Sequence, residues 1–127
     1  MTIIFQKRIY REDLKANPQI TYVFGDNEMR VGLGGQAAEM RGEANAHGVA
    51  TLRATGQFWS DNDHARQCAI LDHDFSKLFD LAKDKFYIVL PSDGIGTGLA
   101  HLGQRAPKTF QYLQTLWNDL IFTGKSK

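Results

Sequence analysis

The chain has 127 residues, 43% hydrophobic and 23% charged, which excludes the disordered and fibrous classes and fits one globular domain. Fifteen basic residues against 14 acidic ones leave a formal net charge of +1, too small an excess for the basic face that duplex nucleic acid selects. A single cysteine, Cys68, excludes an internal disulfide and a cysteine-built zinc cage, and fits a reducing compartment.

In chain order, Thr2–Phe5 is a short β-branched and aromatic run that predicts a first strand. Tyr10–Ala16 reads as a short helix that must end before Pro18, because the residue ahead of a proline avoids the helical region. Ile20–Phe24 (ITYVF) is a continuous apolar run, the mark of a strand covered on both faces. Gly35–Met40 predicts a helix start that Gly42 ends, and Gly48–Leu52 (GVATL) a third strand. Asp61–Lys83 is polar and mostly helical, with Phe75, Leu78, Phe79 and Ala82 forming a core-facing stripe. Phe86–Leu90 (FYIVL) is the strongest strand. Ala106–Phe122 is the strongest helix, with Pro107 in its first turn and Phe110, Leu113, Leu116, Trp117 and Leu120 on one face.

Strands alternating with helices predict a single-domain three-layer α/β sandwich, a mostly parallel sheet with helices on both faces. No repeat, low-complexity tract or linker marks a boundary, so one domain over residues 1–123 and a flexible tail over 124–127 are expected. No charged-then-apolar leader opens the chain, and no apolar run nears the roughly 18 residues of a membrane span. A cytoplasmic protein without membrane contact is the expectation.

In such folds ligands bind beyond the carboxyl ends of the strands. Two predicted strands run directly into glycine-rich loops, ITYVF into residues 25–35 and FYIVL into residues 91–103 (PSDGIGTGLAHLG). Successive backbone N–H groups in such loops form a nest for an anion without any lysine. The known phosphate motifs do not fit. The one Gly-Lys-Ser, at residues 124–126, has no helix after it. Gly32, Gly34 and Ala37 spell a dinucleotide fingerprint, but too far beyond Phe24.

The two loops resemble those of the macrodomain, the ADP-ribose-binding α/β module. "FGDNEMRVGLGGQAA" stands where that family has an asparagine loop and a glycine triplet opening a helix. "LPSDGIGTGLAHLG" stands where it has Gly-Ile-Gly/Ser-Thr-Gly before a long helix. Gly94-Ile95-Gly96-Thr97-Gly98 fits residue for residue, and the likeness covers roughly residues 20–122. The whole chain is also similar to small phage and bacterial proteins sharing Gly-Asp-Asn, Gly-x-Gly-Gly-x-Ala-Ala and Gly-x-Gly-Thr-Gly-Leu-Ala. The departures are Gly-Asp-Asn for Asn-Ala-Ala-Asn, a glycine run interrupted by Leu33, and a shorter chain.

The resemblance implies a ligand that is ADP-ribose or a related nucleotide or NAD derivative. It implies that Asn27 meets the distal ribose, that Gly34 and Gly35 approach that ribose and the phosphates, and that Gly94 to Gly98 with Thr97 surround the diphosphate. Asp26 has no counterpart by simple counting; facing the ribose end, it is a candidate acid or base. The expected site is therefore Asn27 and Asp26 for chemistry, with Gly25, Gly32, Gly34, Gly35, Ser92, Asp93, Gly94, Ile95, Gly96, Thr97 and Gly98 binding ligand. No metal or cofactor is expected. His47, His64, His73 and His101 offer no close ligand pair on one helix face, and His47 or His101 is alternatively an acid or base.

Phe58 and Trp59 either stack on a base or pack in the core. Of Arg30, Arg41 and Arg53, any one is a candidate phosphate contact. Three classes of function stay open: a hydrolase acting at the distal ribose, a binder of a nucleotide signal without chemistry, and an interaction module whose glycines are structural.

Overall fold

The computed structural model describes residues 2–98 and 100–125. Its elements are β1 (Ile3–Gln6), α1 (Arg11–Ala16), β2 (Thr21–Asn27), α2 (Ala37–Met40), β3 (Ala46–Leu52), α3 (His64–Lys83), β4 (Ile88–Pro91), α4 (Leu102–Arg105) and α5 (Pro107–Lys125). Among the described residues the strands form one four-stranded, all-parallel sheet in the order β1-β4-β2-β3.

Alternation along the central strands sends side chains to two separate cores. Val23, Ile88 and Leu90 face α3 and α5, where they meet Leu71, Phe75, Leu78, Leu113 and Leu120. Tyr22, Phe24 and Val89 face α1 and α2, packing on Ile9, Leu14, Ala37 and Met40. The molecule is thus a three-layer α/β sandwich. β4 is buried along its whole length, which explains why its sequence is continuously apolar.

Helices α1, α3 and α5 and all four strands lie where periodicity and breaker residues put them, within a few positions. Three boundaries differ. β2 does not stop at Phe24 but runs on through Gly25, Asp26 and Asn27, with a register shift against β3 at Asp26/Asn27. The second glycine loop carries a short helix of its own, α4. The expected tail is the last turn of α5 as far as Lys125, while positions 126 and 127 lie outside the described residues.

Two long-range contacts hold α5 at its ends. Asp61, in a short 3-10 turn before α3, accepts hydrogen bonds from Lys108 N at 3.1 Å and Thr109 N at 3.3 Å, satisfying first-turn donors. At the other end Gly124 O accepts from Thr2 N at 3.1 Å, and Gly124 is buried against β1. A Cβ at position 124 would lie 2.9 Å from Ile3 Cδ1 and nearer still to Cγ1. Gly124→Ala is therefore expected to overpack this seam and cost about 1–3 kcal/mol, read as a lower chemical-denaturation midpoint with unchanged slope.

Candidate functional site

The sheet order fixes where loops diverge. β4 lies between β1 and β2, so the strands with glycine loops, β2 and β4, are hydrogen-bonded neighbours. The loop after β2 leads to α2 on one face of the sheet, and the loop after β4 leads to α5 on the other. Chains leaving adjacent strand ends toward opposite faces open a crevice between them, the topological switch point of an α/β sheet. A cleft of about 610 Å³ occupies that position, and both glycine loops line it.

Of the residues expected in the site, Gly25, Asp26, Asn27, Gly32, Gly34, Gly35, Asp93 and the whole run Gly94 to Gly98 line the cleft. Ser92 does not. It is exposed, and its N–H donates to Gln6 O at 3.0 Å, extending the β1–β4 ladder by one bond. The cleft also takes in residues the sequence reading did not single out, notably Lys7, Gln36, Thr51 and Thr55. Lys7 follows β1 directly, so the rule about carboxyl ends of strands was the signal for it.

Asp26 and Asn27 end a central strand and are buried, at 6% and 8% exposure. The Asp26 carboxylate is fully engaged. Arg41 binds it through both Nη atoms, Nη1 at 3.3 Å from Oδ2, and Asn27 N donates to Oδ1 at 2.8 Å. Arg30 Nη1 stands 3.8 Å from Oδ2. Arg41 also donates from Nε to Gly32 O at 2.7 Å and lies over the Phe24 ring. One guanidinium thus fastens the first glycine loop to the end of β2. Asp26 pairs with Ala50 on β3, and the space for its side chain exists because the residue diagonal to it there is Gly48: a Cβ at 48 would stand 2.8 Å from Asp26 Cβ and closer to Oδ2. Asp26 therefore works as an anchor for the loop.

Asn27 is different. Its Nδ2 donates to Val31 O at 2.8 Å, but its Oδ1 is, among the described residues, the one buried side-chain polar atom without a hydrogen-bond partner. Such an atom costs free energy until something donates to it. The side chains of Lys7 and Asp93 have no ion-pair or hydrogen-bond partner among the described residues, and both line the cleft. Thr97 Oγ1 donates to Asp93 O at 3.2 Å, closing the second glycine turn. In that turn Gly94 and Gly96 hold φ of +78° and +77°, a region few side chains tolerate.

The arginines divide. Arg41 lines the cleft, whereas Arg30, itself at φ +57°, reaches both carboxylate oxygens of Asp74 from its Nη2, at 2.7 and 2.8 Å, on the α3 side. Arg53 does not line the cleft. Asp74 also accepts Ala50 N at 2.8 Å, so it welds α3 to β3. The histidines are dispersed, and among the described residues no three metal-ligating side chains converge. Trp59 is core, while Phe58 is half-buried and lines the cleft.

Residues 4–116 match the model of a family of unknown function (DUF7831). The chain belongs to the DUF7831 family. No curated protein and no solved structure matches this DUF7831 chain. Among its described residues no helix is long and apolar enough to cross a membrane.

Two measurements probe the polar frame. Arg41→Ala leaves Asp26 buried with only Arg30 nearby, and should cost about 3 kcal/mol in denaturant unfolding. Adding Asp26→Asn should recover part of that loss, because the uncompensated charge is what costs. The second concerns His47, whose Nε2 lies 2.6 Å from Asp74 O and so carries the proton as donor. Burial pushes its pKa below the ordinary 6.5. The unfolded chain then gains a proton at higher pH than the folded one. This stability is intact above pH 6.5 and is lost as pH falls from there through the lowered folded value. His47→Gln should show a smaller loss of Tm than wild type from about pH 7 to about pH 5.

Proposed function

We propose that the cleft binds ADP-ribose or a related nucleotide or NAD derivative, and that binding without turnover is its principal activity. The observation that carries this reading is Asn27: a buried amide in the cleft wall whose Oδ1 lacks a donor, positioned beside two glycine loops. A sugar hydroxyl supplies that donor. The turn beyond Gly94 supplies backbone N–H groups and little steric bulk to a diphosphate, and Lys7, without a side-chain partner among the described residues, adds a positive charge at the rim. The resemblance of both loops to those of macrodomains points to the same ligand class. The hydrolase reading has less support, because both oxygens of the Asp26 carboxylate are already occupied by Arg41 and Asn27 N.

ADP-ribose should raise Tm, since a ligand that binds only the folded state stabilises it by mass action, by about 2.7 kcal/mol at about 100 times Kd. AMP, with one phosphate and no distal ribose, should do less; equal shifts would remove the sugar role of Asn27. Asn27→Ala should weaken ADP-ribose binding several-fold by calorimetry, the loss of about 0.5–1.5 kcal/mol for one neutral hydrogen bond. Gly96→Ala is a poor probe, because its Cβ would also press on Leu102 at 3.1 Å. Gly98 is the clean one: it lies outside the left-handed region and a Cβ there meets nothing within 4 Å. Gly98→Ala should keep the fold and lose ADP-ribose affinity. Unchanged affinity would show that the second loop is only a turn.

A further inference from the structure

Phe58 is the part of the cleft that the nucleotide reading leaves without a task. After β3 the chain makes a tight return, with Gly56 at φ +77° and Arg53 N donating to Gln57 O at 3.0 Å. This carries Phe58 and Trp59 back beside the end of β2. Trp59 then goes inward, 2% exposed, and its Nε1 donates at 2.7 Å to Glu28, the residue directly after Asn27. With its neighbour pinned in the core, Phe58 is left on the cleft side. Arg105 lies over the Phe58 ring at 4.1 Å from its centroid, and the His101 ring is tilted against it at 6.2 Å. Neither Arg105 nor His101 lines the cleft. The ring is thus backed and held from outside, and the surface it gives the cleft is what those two leave uncovered.

We infer that Phe58 is a stacking platform for a planar ring carried on the sugar that Asn27 meets, so that the preferred ligand is a dinucleotide with a second, uncharged planar base. This rests on the nucleotide reading above. A half-buried phenyl ring held against a guanidinium loses little freedom when a second ring covers it, and base–aromatic stacking adds appreciably to affinity. The stacked ring is neutral, because Arg105 behind Phe58 repels a cation in front of it. Free ADP-ribose leaves the platform empty. A ligand with a neutral ring on the distal ribose fills it.

NADH and ADP-ribose differ at that position and share the rest, so they are the probes. Calorimetry with wild-type protein should give NADH at least about fivefold tighter binding than ADP-ribose. Phe58→Leu, which keeps apolar bulk but not the ring, should bring the ratio of the two affinities to about one, and Phe58→Tyr should preserve the wild-type ratio. Thermal melts of both variants check that they fold. On an isotope-labelled sample, NADH should also shift the Phe58 ring protons, because a ring laid on them changes their surroundings, while ADP-ribose does not. If ADP-ribose binds as tightly as NADH, or the ratio survives in Phe58→Leu, the platform assignment is wrong and the nucleotide reading stands. If neither ligand binds the wild-type protein, both fall.

Discussion

A carboxylate at the end of a central, fully covered strand cannot be left without a cation, and at Asp26 that requirement organises the neighbourhood. Arg41 answers it from just beyond α2, fifteen residues away. In doing so it also takes the carbonyl of Gly32, which ties a loop of exposed residues to the sheet. The opposite side of Asp26 has to be empty of side chain, which places glycine at position 48. Asn27, next along β2, is then buried by its neighbours, with half of its amide bonded to Val31 and the other half unpaired. The cleft wall is a by-product of neutralising one buried charge.

The second wall has a separate origin. Where β4 enters between β1 and β2, the two adjacent strands hand their loops to opposite faces, and backbone must turn sharply at both exits. Glycines at positive φ satisfy the turns. The absence of side chains leaves backbone as the lining of the cleft at these positions. Geometry that solves a chain-routing problem also leaves a surface rich in N–H donors.

How much of this the sequence carried depends on how each feature is encoded. β2 and β4 were legible because strand positions covered on both faces have to be apolar, and the buried runs Tyr22–Phe24 and Ile88–Leu90 are. The stripes of α3 and α5 were legible from their helical period. The extension of β2 through Gly25-Asp26-Asn27 was not, since polar residues inside a strand carry no period, and what keeps them there is Arg41 acting across fifteen positions. Gly124 looked like the start of a loose tail because its reason for being small is Ile3, at the other end of the chain. For Phe58 and Trp59 the sequence offered two equivalent aromatics. Only the hydrogen bond from Trp59 to Glu28 separates a core residue from a cleft residue. The glycine loops were recognisable as candidates, and what brought them to one cleft was the strand order, a long-range property.

The hydrogen bond from Thr2 N to Gly124 O has a consequence for the protein as a physical object. It joins the first described residue to the last turn of the last helix, at the amino end of β1, whereas Lys7 and the cleft stand at the carboxyl end, about 16 Å away for five residues of strand. Thr2 and Gly124 therefore meet on the pole opposite the cleft. A short peptide joining residue 125 to residue 2 would close the chain into a ring, and a new break in the exposed return at residues 53–57 would reopen it without crossing any strand. The contact that ties β1 to the last turn of α5 thus lies a full strand length from the cleft.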